Sequence, residues 1–149
     1  MNATELSELF ERRFDMLSQL LELSEKQIKA IDENRMSDLM RILSDKQQPI
    51  TQLVQIGQSL ANAVGEDPTA RVWSSPEERQ RCRNQQQQCE SMHDQLLAIE
   101  ADCEVKLVAN RASAQEKLQR HDSVRVAATS YAQSQNAPPS GGSLDLSSN

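Results

Sequence analysis

Aromatic residues are almost missing from this chain: Phe10, Phe14, Trp73 and Tyr131 are all it has among 149 residues. Glycine and proline are scarce before the C-terminal end, no apolar run is long, and no stretch alternates apolar with polar residues. These absences exclude a sheet, whose strands need period-two patterning and turn residues between them. They also exclude a membrane-inserted helix, which needs about 20 apolar residues in a row. Positive charge is in deficit as well. With a net charge of −6 and a pI near 4.9, the chain lacks the clustered Lys and Arg that phosphate contacts require, so no nucleic acid is expected as a partner. Met1 to Glu5 offers neither a basic region nor a following apolar run, so no secretory signal is expected. Cys82, Cys89 and Cys103 are an odd number in one helical stretch. They read as reduced thiols of a cytoplasmic protein rather than a disulfide framework.

What the chain does have is helical periodicity. The longest stretch starts at Ser75-Pro76-Glu77-Glu78, which places Ser at an N-cap, Pro at the first helical position and Glu78 at the capping-box position. No Gly or Pro follows until Pro138, so the pattern predicts a helix over about 76–129, roughly 80 Å long at 1.5 Å per residue. A first helix is predicted over about 3–32. Its seam runs through Phe10, Phe14, Leu17, Leu21, Ile28 and Ile31, with Ser24 filling a gap and Leu6, Leu9, Leu20 and Leu23 widening the face enough for two neighbours. A turn at Asp32-Glu33-Asn34 leads into a second helix over about 35–64. Met36, Leu39, Leu43, Lys46, Ile50, Leu53, Gly57, Leu60 and Val64 form its seam. Pro49 is expected to kink this helix without ending it, because the heptad register passes through. Lys46 is expected to lay its stem on the seam with its ammonium outward. In the loop that follows, Val72 and Trp73 are expected to cap the open end of the bundle, with a partner contact as the alternative.

The predicted fold is therefore all-α: an elongated antiparallel three-helix bundle or coiled coil over residues 1–129, with a long third helix. Residues 130–149, rich in Ser, Gln, Asn, Pro and Gly, form a disordered tail by composition. The third helix continues the seam through Cys82, Cys89, Met92, Leu96, Ile99 and Cys103, after which the register shifts. Two helices of about 30 residues cover only about 30 residues of the third. Beyond Leu107 the apolar residues Val108, Leu118, Val124 and Val126 are left without cover, beside a local excess of Lys106, Arg111, Lys117, Arg120 and Arg125 over Glu116 and Asp122. Uncovered apolar surface invites a partner. Tyr131, Leu144 and Leu146 are candidate short-motif contacts in the tail.

Catalytic chemistry is not expected. His93 and His121 are too far apart on one helix to converge, and no carboxylate pair, phosphate loop or nucleophile motif is present. Cys89 and His93, spaced i, i+4, are the single metal-like arrangement. The first two helices contain no Cys or His to complete a tetrahedral site, so neither a metal nor another cofactor is expected.

The run Leu39 to Leu53 with its Ser44-Asp45-Lys46 step, after a helix rich in Leu and Glu, resembles the N-terminal hairpin of the FlgN-type flagellar export chaperones. So does the end of the chain, where Ala127-Ala128-Thr129-Ser130-Tyr131 is followed by a polar spacer and Ser143-Leu144-Asp145. The resemblance implies a cytoplasmic type III export chaperone. Its clients would be hook-associated, hook-filament junction proteins, held by their C-terminal helical region and delivered to the flagellar export apparatus. Mapped onto this chain, the client would lie on Leu107, Val108, Ala114, Leu118, Val124 and Val126, and Tyr131 would face the export gate. At most weak homo-oligomerisation is expected. The competing class is a structural or tethering coiled-coil protein that self-associates through its long third helix.

Overall fold

The computed structural model describes residues 1–133, with side chains through Ser130. Tyr131's side chain and the whole segment holding Leu144 and Leu146 lie outside the described residues. Met1–Glu104 and Val105 onward form two compact units.

Helix α1 spans Ala3–Asp32. Asn2 caps it by a reciprocal box: its side-chain oxygen accepts from the Glu5 N–H at 2.8 Å, and the Glu5 carboxylate accepts from the Asn2 N–H at 3.1 Å. At the other end Asn34 takes the left-handed conformation, with φ 55°. Arg35 N–H then donates to Ala30 O at 2.8 Å and Asn34 N–H to Ile31 O at 3.1 Å, which is a Schellman termination at the turn the sequence predicts.

The second arm departs from expectation. It is two helices, α2 (Met36–Asp45) and α3 (Gln47–Asn62), with Lys46 between them. Lys46 keeps helical angles, its N–H still reaches Ile42 O at 3.0 Å, and Ile50 N–H reaches Lys46 O at 3.1 Å. The interruption is one residue wide, and Pro49 accounts for it, because it has no N–H to give to Asp45. Register is preserved across the break, so the arm packs as a unit.

A short 3₁₀ turn, Pro68–Ala70, is capped by Asp67, and α4 then spans Pro76–Gln133. Ser75 caps α4 through its hydroxyl oxygen, which accepts from Glu78 N–H at 3.1 Å. The Glu78 carboxylate accepts from the Ser74 hydroxyl, so the return half of the expected capping box comes from the neighbouring serine.

Three helical arms pack together in the first unit. Cys82 lies by Ser7, the Cys89 thiol donates to Phe10 O at 3.7 Å, and Ser24 donates to Glu100 at 2.8 Å. The partners rise together in number, so α4 runs parallel to α1. Met1 meets Glu66 and Gln27 meets Lys46, so the α2–α3 arm runs antiparallel to both. Leu17, Leu20, Cys89 and Leu96 form the core, joined by Phe14, Leu21, Leu53 and Met92. On α4 the buried stripe Cys82, Cys89, Leu96 and Cys103 is the predicted seam.

On α2–α3 only half of the predicted seam is inside. Leu39 and Lys46 are buried and Leu53 and Leu60 half-buried. Their companions toward the core are Pro49, Ile56 and Ala63, each one residue before the predicted Ile50, Gly57 and Val64, which are exposed. Both sets alternate by three and four with the shared line, so periodicity alone could not choose between them.

Candidate interaction surfaces

In the second unit, α4 carries exposed apolar side chains. Val108 is 62% exposed, Leu118 50%, Val124 67% and Val126 47%, while Ala114 is exposed and Leu107 half-buried. At 100° per residue, Leu107, Ala114 and Leu118 fall within about 40° of one another and make one line. Val108 and Val126 share a second line about 100° to one side, and Val124 lies about as far to the other. The six candidate residues are thus on one helix but on three of its sides. Charge is interleaved with them: Arg120 pairs with Glu116, and Arg125 with Asp122 at 3.0 Å.

A second apolar surface lies on the first unit, and it takes in Met36, Leu43, Ile50, Gly57 and Val64, which the sequence reading placed on the inward seam. Met36, Met40, Leu43, Gln47, Ile50, Val54, Gly57, Ala61 and Val64 step by four and three along the outer side of α2–α3. All are exposed except the half-buried Leu43. The signal for it was present as a surplus, an apolar arc wider than two neighbouring helices can cover.

Inside the first unit sits a buried polar cluster that the sequence reading did not anticipate. The Lys46 ammonium points inward: its side chain is 5% exposed and donates to Gln27 Oε1 at 2.7 Å and to the Glu100 carboxylate. Ser24, fully buried, donates to the same carboxylate oxygen. Ser24, Gln27 and Glu100 supply the partners that make an inward ammonium tolerable. Had the ammonium been placed inward, Ser24 and Gln27, set one turn apart on the buried side of α1, would have been the clue.

The loop before α4 also differs in detail. Val72 is 87% exposed and takes no part in closing the bundle, while Trp73 is half-buried and lines a shallow cleft with Pro76, Arg79 and Arg83. Around the loop, the Met1 amine donates to both Glu66 oxygens at 2.9 and 2.8 Å, and Arg71 reaches Glu66 at 3.4 Å. The amine, more than Arg71, holds the Glu66 carboxyl below its usual range. The thiols offer little reactivity: burial pushes Cys82 and Cys89 up, away from the thiolate. The Cys89 S–H is spent on Phe10 O. Among the described residues no three His, Cys, Asp or Glu side chains converge as metal ligands, and no helix is long and apolar enough to cross a membrane.

Residues 1–137 match the FlgN protein family, which takes in the whole first unit, most of the second and all the described helices. The chain belongs to the FlgN family. It is therefore a flagellar export chaperone of a non-enzymatic family, and its surfaces are to be read as places for holding other proteins rather than for chemistry. No curated protein and no solved structure matches it.

Proposed function

We propose that this FlgN-family chain works in the cytoplasm, binds the C-terminal helical region of hook-associated, hook-filament junction proteins, and delivers them to the flagellar export apparatus. The observation that carries this reading is the exposed apolar surface of α4 in the second unit, where Leu118, Val124 and Val126 stand in water on a helix with no described neighbour of its own unit. An isolated helix gains little from such residues, and covering them with an amphipathic client helix returns roughly 1.5–3 kcal/mol for each fully buried side chain. Leu107, Ala114 and Leu118 form the line on which one client helix lies. Contact with Val108, Val124 and Val126 as well requires a client that wraps α4 on more than one side. The interleaved Arg111 and Lys117 suit a client with acidic flanks. Tyr131 and the tail beyond it are left for the export apparatus. No cofactor has a role in this work.

The test is co-purification of the full chain with a hook-filament junction protein, beside the same client lacking its C-terminal helical segment. A complex that is lost on truncation supports the proposal. Equal capture of both forms would overturn it.

A further inference from the structure

The outer seam of α2–α3 is an apolar surface distinct from the one assigned to the client. Its apolar members, Met40, Ile50 and Val54 at its middle and Val64 at its end, are 41–82% exposed. They are spaced as one side of a helix pair. Its most telling property is electrical. Helix α3, Gln47–Asn62, contains no charged residue, and no other α-helix among the described residues is without them. The apolar residues of the second unit, by contrast, alternate with Arg, Lys, Glu and Asp.

In a chain of net charge −6, two copies repel wherever their charged faces meet. A neutral face is the place where that repulsion falls away: the α3 half of the seam is flanked by Gln55, Gln58 and Asn62 in place of Lys and Glu, while on the α2 half Arg41, next to Met40, is paired with Asp38 of its own helix. We infer that this seam pairs with the same seam of a second copy of the chain. The pairing is antiparallel about a two-fold axis, so that the patch is self-complementary. Gly57 lies in the seam, and a Cβ built there meets nothing within 4 Å, so it is open on the outer side and lets the partner backbone approach closely. One helical face offers fewer than the 20–30 residues a side of a standard interface, so the dimer is weak, with a dissociation constant on the order of 10 µM.

The experiment is sedimentation equilibrium on the client-free full chain from about 1 to 200 µM, at low and high salt, with Val54→Glu and Gly57→Arg alongside. Both substitutions point into open space, and replacing glycine within a helix favours folding, so both variants keep the wild-type circular dichroism. The wild type is expected to pass from monomer to dimer across the range, more readily at high salt as the repulsion is screened, and both variants to stay monomeric. A wild type that is monomeric at 200 µM, or variants that dimerise like it, would overturn the inference. So would a monomeric wild type whose Val54→Glu variant loses client, since the seam would then belong to the client. Because the dimer is measured without client, its failure leaves the client proposal standing, and the reverse.

Discussion

At the residue scale the most consequential side chain is Lys46. Its ammonium is buried at the one-residue break between α2 and α3 and is held by Gln27 and Glu100, while Glu100 keeps 39% of its side chain exposed. The two partners are therefore unequal. Removing the lysine leaves a carboxylate that can turn to water, whereas removing the carboxylate strands an ammonium that cannot. Lys46→Met, which keeps the stem's volume, should change unfolding stability by no more than about 1 kcal/mol. Glu100→Ala should cost about 2 kcal/mol, less than the 3–5 of a fully enclosed pair. Denaturant unfolding of the two variants separates these outcomes, and equal costs would contradict the asymmetry.

Glu66 and Asp67 make a second residue-scale prediction. The Met1 amine holds the first below its usual range, and the Thr69 hydroxyl, helped by the Thr69 N–H, holds the second. For carboxyls depressed in the folded state, the stabilising contribution is complete above the unfolded values of about 4 and is lost as pH falls through the lower folded ones. Trp73, the sole tryptophan, sits a few residues along the same loop. Its fluorescence should be constant from pH 7 to 5 and change only below about pH 4. A transition centred above pH 5 would assign the loop's stability to other groups.

At the element scale, the start of α4 and the first turn were legible because they rest on local chemistry. Asn34 adopts the left-handed conformation its type tolerates, and Ser75 caps α4 from the position its Pro76-Glu77-Glu78 context marks. Ser75→Ala should cost about 1 kcal/mol, read by thermal unfolding, with increased amide exchange confined to the first turn of α4. What could not be read was which of two equally regular seams on α2–α3 faces inward. Leu39, Lys46, Leu53 and Leu60 belong to both. The choice between Pro49, Ile56 and Ala63 on one side and Ile50, Gly57 and Val64 on the other is made by where α1 and α4 stand, which is tertiary information. The inward turn of Lys46 was hidden for the same reason: its partner Glu100 lies 54 residues away. On α4 the ambiguity was smaller, because Cys82, Cys89 and Leu96 had no competing apolar line beside them before Leu97, and the stripe through Cys103 is buried as read.

At the scale of the whole molecule, the proposed function divides the work between the two compact units. Met1–Glu104 closes its own core around Leu17, Leu20, Cys89 and Leu96. From Val105 onward α4 keeps apolar groups exposed, a cost that the client would remove under the proposed function. Family membership agrees with this division without fixing the client's place on it. The most direct measurement is therefore titration of a hook-filament junction client into the wild-type chain and into the Leu118→Asp, Val124→Asp double variant, with the thermal unfolding of each chaperone recorded beside it. Both positions are exposed, so the variant should keep the wild-type unfolding of the first unit while client affinity falls at least 100-fold, the equivalent of about 2.7 kcal/mol. Unchanged affinity in a folded variant would contradict the account and move the client off the second unit.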